Sequence, residues 1–197
     1  GSVYQHHKKG AVLWPVLSWF ALGLAGGALL GAKLADIING RVLQMLFGAF
    51  AILIALQMAA GVKPKASREL PGKAGLSFVG MIIGSVSAIF GIGGGSLSVP
   101  FLTWCNVKMQ QAVGTSAAGG MPIAVAGALG FIVTGWDEST PVYSFGYVYL
   151  PALLGISVTS VIFAQIGARL AHRLPAATLK KIFAALLVVV GIKLLLG

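Results

Sequence analysis

The stretch Gly91-Ile92-Gly93-Gly94-Gly95-Ser96 interrupts a long apolar segment that runs from Ala74 to about Cys105. Glycine lacks a Cβ atom and is a strong local breaker of helices, so we expect the backbone to leave the helix here. Unpaired backbone groups cannot face lipid, and such a break must be buried in protein or line a wet cavity. The stretch therefore predicts a broken helix inside a membrane protein.

The composition of the whole chain favours the same class of protein. Of the 197 residues, 57% are hydrophobic and only 9% are charged, whereas about 25% of the residues of a soluble domain are charged. We therefore expect an all-α integral membrane protein, a multi-span bundle that crosses a bacterial inner membrane several times. Besides the broken segment, apolar runs of about the length of a membrane span lie near residues 11–34, 42–62, 110–134, 147–170 and 179–196.

The net charge of +10 does not indicate nucleic-acid binding. The basic residues form short clusters between apolar runs, with no stripe of interleaved aromatic residues. Such clusters are typical of cytoplasmic loops, which places Gln5–Lys9, Lys63–Lys73 and Arg169–Lys181 inside. The Gly135–Phe145 loop carries only acidic charges and is predicted to lie outside.

The chain contains an internal repeat. Adding 136 to each residue number maps 10–61 onto 146–197 without a gap, so that Gly31–Ala35 (GAKLA) falls on Gly167–Ala171 (GARLA). We predict that residues 1–62 form the last two spans of a first repeat, 63–73 a cytoplasmic linker, and 74–197 a second repeat. The first-copy equivalents of the broken segment and of span 110–134 would precede residue 1. We therefore expect a symmetric parent with about sixty further residues, either in the same polypeptide or in a second chain.

The charge pattern also predicts that the two repeats are inverted. The span at 11–34 would run outward and its equivalent at 147–170 inward, provided that the broken segment enters from the cytoplasm and returns there. The alternative is a straight crossing at 74–105, which leaves one basic loop on the wrong side. Inverted repeats with broken helices are a recurring plan of secondary transporters.

The break itself is the candidate binding site. If a half-helix begins at Ser96, its free amides and positive dipole end can hold an anion without a charged side chain. The alternative use of these glycines is close helix packing, and hydroxyls inside a helix can bond to their own backbone instead. The candidate residues are Gly91, Gly93, Gly94, Gly95 and Ser96, with the hydroxyls of Thr115 and Ser116. Secondary candidates are Asn106 and Gln110 at a cavity mouth, and Lys33 and Arg169 as vestibule cations or as anchors that snorkel to the membrane surface.

Metal, cofactor and enzyme chemistry find little support in the sequence. His6 and His7 have no third ligand nearby, so no metal site is expected. The four acidic residues sit at span ends or in loops, which leaves no carboxylate for a proton relay within the membrane. The spans contain no nucleophile–base pair and no histidine pair for haem, so neither a cofactor nor an enzyme is predicted.

The motif Gly91–Pro100 (GIGGGSLSVP), followed by Ala112–Ala117 (AVGTSA), resembles the signature of the TauE/SafE family of sulfite-exporter-like permeases. The His7–Gly10 lead and the two GA[KR]LA stretches are also similar to that family, so the resemblance extends over essentially the whole chain. It implies two halves with typically eight spans, and transport of sulfite or another small sulfur-containing anion by alternating access around the break. The first-half copy of the glycine motif is not found here. An accessory membrane subunit and, more weakly, a membrane-embedded enzyme remain as alternatives.

Overall fold

The computed structural model describes residues 10–60, 68–173 and 176–196. In these residues the fold is all-α apart from one short hairpin, in which Ser144 pairs with Tyr149 and Phe145 with Val148. The predicted fold class is therefore confirmed. The elements are α1 (Trp14–Ile37), α2 (Gly40–Ala60), α3 (Lys73–Phe90), α4 (Gly95–Trp104), α5 (Met109–Thr134), β1 (Ser144–Phe145), β2 (Val148–Tyr149), α6 (Leu150–Arg173) and α7 (Ala176–Leu196).

Four described helices are long and apolar enough to cross a membrane: α1, residues Gly40–Gln57 of α2, α3 and α5. Large apolar side chains on them, such as Leu22, Phe78 and Met121, remain exposed. Exposed apolar surface of this extent on helices of spanning length fits contact with lipid tails. The chain is a multi-pass membrane protein.

The predicted break is present. Helix α3 ends at Phe90, and Gly91 adopts a left-handed conformation with φ of 61°. The amide of Gly91 donates to Ala88 O at 3.3 Å and that of Ile92 to Ser87 O at 3.0 Å, which is how a left-handed glycine closes a helix. Helix α4 then begins at Gly95. The interruption occupies the four residues between these two helices.

The chain folds into two compact units. The first unit contains α1, α3, α4 and α5, and the second contains α2, the β-hairpin, α6 and α7. Each unit draws helices from both sides of the linker at 63–73. The spatial grouping therefore does not follow the repeat boundaries, which describe sequence equivalence and remain a prediction.

Glycines bring α1 and α3 of the first unit into backbone contact. Ser77 Oγ donates to Trp19 O and Ser85 Oγ donates to Gly27 O, both at 2.9 Å. Since the contacting positions increase together along both helices, α1 and α3 run in the same direction. A Cβ added at three α1 glycines would meet α3 backbone: Gly23 at Ser77, Gly27 at Met81 and Gly31 at Ser85.

Helix α5 runs in the same direction as α1, whereas α4 runs back. Thr115 accepts a bond from the amide of Leu13, and a Cβ at Gly130 would lie 2.7 Å from Ala32 Cβ, so both helices begin at one end. Along α4 the order is reversed, because Gly94 lies beside Ile123 and Leu102 shares a core cluster with Ala112.

The broken segment is therefore re-entrant, as predicted. The amide of Arg68 donates to Trp104 O at 3.3 Å, and the Arg68 guanidinium lies 4.9 Å from the centre of the Trp104 ring. The end of α4 thus returns to the end at which α3 begins. We call this the basic end, defined by Arg68, Lys73 and Lys108, and we call the opposite end, defined by Asp137 and Glu138, the acidic end.

The repeat is visible in the helix boundaries and in their direction. Helices α1 and α6 differ by 136 positions at both ends, as do α2 and α7. Helices α2 and α7 pack antiparallel: a Cβ at Gly48 would meet Gly191 O at 2.9 Å and Leu195 Cγ at 3.1 Å, and one at Gly191 would meet Ile52 Cγ1 at 2.7 Å. The equivalent helices α2 and α7 therefore run in opposite directions, as expected of an inverted repeat.

We predict that the basic end faces the cytoplasm. In a Cys105→Ala background, Glu138→Cys should react with an impermeant thiol reagent added outside intact cells, because the loop at 135–145 carries no Lys or Arg to keep it on the cytoplasmic side. Lys108→Cys should react only after permeabilisation. The unsubstituted protein serves as the control, since Cys105 is buried. Labelling of both variants from one side would contradict this orientation.

Candidate functional site

A cavity of about 230 Å³ opens at the glycine break. Its wall comes from the last turn of α3, from the break and from the second half of α5. Most of its lining residues are glycine, alanine or isoleucine, and Phe131 closes one side. Among the described residues, none of the lining side chains is charged. The residues that matter most here are Ser87, Gly91, Gly93, Ile123 and Phe131.

The position of the cavity along α5 places it inside the membrane. Ile123 is fourteen residues beyond Met109 and eleven before Thr134, which corresponds to about 21 Å and about 16 Å of helix. Since the hydrocarbon core is about 30 Å thick, a helix break at this level is far from both surfaces. The break therefore lines an open cavity at the level of the membrane interior, an environment in which irregular backbone is tolerated.

Polar groups without partners lie on both sides of the break. Ser87 is only 2% exposed, and its Oγ has no hydrogen-bond partner. At the start of α4, the amide of Ser96 donates to Gly93 O and that of Ser98 to Gly94 O. The amides of Gly95 and Leu97 have no acceptor within the described residues. A hydroxyl and free helix-start amides are the donors that an anion needs.

The break glycines differ in what surrounds them. A Cβ at Gly93 or Gly95 would meet nothing within 4 Å, whereas a Cβ at Gly94 would press on Ile123 Cδ1. Close packing therefore explains Gly94, as it explains Gly23 and Gly27 in α1, but it does not explain Gly93 or Gly95. Open space beside Gly93 belongs to the cavity, which favours a binding role over a packing role.

The two hydroxyl candidates on α5 lie apart from the cavity wall. Thr115 is fully buried, and its Oγ1 accepts a hydrogen bond of 3.0 Å from the amide of Leu13. This bond satisfies an otherwise free amide just before α1 and fixes the start of α1 on α5. Ser116 is 2% exposed and its Oγ has no partner.

The secondary candidates are not brought together at the break. Asn106 is exposed in the turn after α4, where its φ of 62° serves the reversal of the chain, and Gln110 is exposed in the first turn of α5. Both lie at the basic end, roughly 20 Å along α5 from Ile123. Lys33 is exposed on α1, and the side chain of Arg169 lies outside the described part of the chain.

We predict that Thr115→Val destabilises the first unit. The variant removes the acceptor of the Leu13 amide at nearly constant volume, and a buried amide without a partner costs about 1–3 kcal/mol. Thr115→Ser keeps the hydroxyl and should be mild. Thermal unfolding in detergent checks both. An unchanged melting temperature for the valine variant would show that the Leu13 bond contributes nothing.

Sequence reasoning missed Ser87, Ile123 and Phe131. Ser87 carried a usable signal, because it lies one helical turn before Gly91 in an uncharged segment, so its hydroxyl is on the side of the break. Ile123 and Phe131 carried none. An apolar residue in an apolar span does not reveal which neighbour it faces.

Comparison of the sequence with known proteins identifies its family. The family model described as "Sulfite exporter TauE/SafE" matches residues 1–194. This chain belongs to the TauE/SafE family. A "probable membrane transporter protein" of Haemophilus influenzae is 36% identical over 199 residues, which cover 100% of this chain and 75% of the relative. A protein of Methanocaldococcus jannaschii with the same description is 26% identical, with 99% and 73% covered.

Two further findings complete these comparisons. A protein of Bacillus subtilis, also named as a probable membrane transporter, is 27% identical over 90% of this chain and 71% of its own length. No solved structure matches the chain. Family membership and the names of the relatives make this TauE/SafE protein a membrane transporter and point away from an enzyme.

Proposed function

We propose that this protein carries a small oxyanion, sulfite or another sulfur-containing anion, by alternating access around the Gly91–Ser96 break. The observation that carries the proposal is Ser87, whose buried hydroxyl has no partner, in the lining of a cavity whose wall reaches Gly93, two residues before the first free amide of α4. A buried hydroxyl without a partner is costly, and an anion that accepts its hydrogen bond removes that cost. The family description supports the choice of a sulfur oxyanion.

The electrostatics of the cavity favour a small, singly charged anion. Helix-start amides and a hydroxyl offer partial positive charges, and the described lining includes no lysine or arginine. A dianion such as hydrogenphosphate loses more hydration energy on entry and finds no full counter-charge. Sulfite in its monoanionic form and small sulfonates are both small and singly charged. Phe131 gives the cavity an apolar wall that can contact an organic group.

The test is flux into proteoliposomes of the parent protein, with sulfite, sulfate, thiosulfate, methanesulfonate and phosphate offered separately. We predict that Ser87→Ala weakens the apparent affinity for the transported anion at least ten-fold, because a hydrogen bond to a charged group contributes about 1.5–3 kcal/mol. Ser18→Ala is the matched control, since Ser18 is exposed and bonds to Pro15 O. Equal affinity in both variants would remove Ser87 from the site, and absence of flux for every sulfur anion would overturn the proposal.

We further propose that the working transporter contains a second broken-helix unit, which packs on α6. Helix α6 is the repeat equivalent of α1, and its residues 151–160 are exposed. Phe20 of α1 is 0% exposed, whereas its equivalent Ile156 is 67% exposed. The partner would come from a further part of the same polypeptide or from a second chain. In the working transporter, Ile156→Cys should react with a lipid-permeant thiol reagent more slowly than Leu22→Cys, a lipid-facing control. Equal rates would argue against a covering unit.

A further inference from the structure

A second group of unpartnered hydroxyls lies in the seam between α4 and α5. Gly94, Ser98 and Leu102 are spaced by four residues and therefore share one face of α4. Gly94 at one end of this row contacts Ile123 of α5, and Leu102 at the other end shares a core cluster with Ala112 of α5. Ser98, between them, therefore faces α5.

The matching row on α5 contains Ala112, Ser116 and Ile123, which share one helix face by their spacing. Since the two helices are antiparallel, Ser98 and Ser116 lie at nearly the same level of the seam. Ser98 is 1% exposed and Ser116 is 2% exposed, and neither Oγ has a hydrogen-bond partner. Buried hydroxyls are rarely left unpaired. Two of them at one level of the seam indicate a site that binds a polar ligand in another conformation of the protein.

Ile123 separates this seam from the cavity. Ile123 is part of the cavity lining, and its Cδ1 lies too close to the Cβ position of Gly94 for both atoms to fit. The other α5 residues of the cavity wall, up to Phe131, lie mainly toward the acidic end, whereas Ser116 lies toward the basic end. Ser98 Oγ is 3.7 Å from the Cβ position of Gly94 and therefore lies next to the contact between Ile123 and Gly94.

We propose that the contact between Ile123 and Gly94 is a gate, and that Ser98 and Ser116 form a second binding site for the transported oxyanion on the basic side of it. The identity of the anion rests on the proposed function. In the conformation described, the gate is closed and the Ser87 cavity lies on its acidic side. When the isoleucine side chain moves off Gly94, the anion passes from Ser87 to the two seam hydroxyls, each of which donates one hydrogen bond. Glycine at 94 is required because any Cβ there occupies the space of the gate.

Cysteine accessibility tests the gate without any transport measurement. In a Cys105→Ala background, Ser87→Cys and Ser98→Cys are treated from the acidic side with the anionic reagent 2-sulfonatoethyl methanethiosulfonate. Ser87→Cys should react whether or not Ile123 is replaced. Ser98→Cys should react at least ten-fold faster when Ile123→Ala is added. Ile83→Ala is the control, because Ile83 is equally buried in the same core cluster as Ile123 but belongs to α3, outside the two helices of the seam.

Equal reaction rates of Ser98→Cys with Ile123 and with Ile123→Ala would overturn the gate, as would an equal acceleration by Ile83→Ala. This outcome is independent of the proposed function, since labelling requires no substrate. If the labelling shows a gate but the parent protein moves no sulfur anion, the proposed function fails while the gate stands.

Transport of methanesulfonate tests the second site. Gly94→Ala should slow flux at least ten-fold because its Cβ presses on Ile123 Cδ1, and Gly94→Ala/Ile123→Val should recover it, since valine has no Cδ atom. Ser98→Ala/Ser116→Ala should lose flux while methanesulfonate still raises the melting temperature through the Ser87 cavity. Parent-like flux in the double serine variant would overturn the second site and leave the two hydroxyls a structural role.

Discussion

Gly27→Ala is expected to destabilise the protein by about 2–4 kcal/mol, whereas Gly26→Ala should stabilise it by about 0.5–1 kcal/mol. A Cβ at Gly27 would collide with the carbonyl group of Met81, and a clash with backbone can be relieved only by moving α1 away from α3. Overpacking of this kind costs about 1–3 kcal/mol and occasionally more. The Ser85–Gly27 hydrogen bond would also lengthen.

The neighbouring glycine is the matched control. A Cβ at Gly26 would meet nothing within 4 Å, so alanine there only reduces the freedom of the unfolded chain. Thermal unfolding of the purified protein in one detergent measures both variants. We expect the melting temperature to fall for Gly27→Ala and to rise for Gly26→Ala, although the same chemical change is made at adjacent positions. A parent-like melting temperature for Gly27→Ala would show that α1 and α3 are not packed as closely as described.

Gly93→Val is expected to lower transport at least a hundred-fold with little change in stability. The valine side chain would point into the cavity at the break, where a Cβ meets no atom within 4 Å. It would occupy part of the space that the anion needs and shield the free amides of α4. Proteoliposome flux and thermal unfolding, measured on the same preparation, distinguish a loss of transport from a loss of stability.

Gly94→Val provides the contrast at the next position. Its side chain would collide with Ile123, so it should lower both transport and stability, whereas Gly26→Val, at another open position, should leave transport near that of the parent. Retained flux in Gly93→Val would end the idea that an anion approaches the amides at the break.

The broken helix and the repeat were predictable because each depends on local chemistry. Consecutive glycines end a helix whatever surrounds them, and GAKLA and GARLA can be matched without knowing what either contacts. The inverted direction followed from the placement of charged loops, since basic loops stay on one side of the membrane. The structure shows the break, between Phe90 and Gly95, and the antiparallel packing of α2 and α7 agrees with an inverted repeat.

The roles of individual small residues were not predictable in the same way. Gly26 and Gly27 look alike in sequence, yet one faces open space and the other faces the backbone of α3. Thr115 and Ser87 are both hydroxyl residues in apolar spans, yet one receives the Leu13 amide and the other remains unpartnered at the cavity. Helix periodicity assigns residues to a common face, but it does not determine which helix covers that face.

By itself the sequence determined that this is an all-α membrane protein with an inverted repeat and a helix broken at Gly91, because composition, charge placement and backbone freedom act within a few residues of the chain. Only the tertiary structure decided that α1, α3 and α5 run parallel, that Ser87 belongs to the cavity lining, and that Ile123 contacts Gly94. These features arise where residues distant in sequence meet across two or three helices. Close packing in that space depends on all the partners at once, so no single segment of the sequence specifies it.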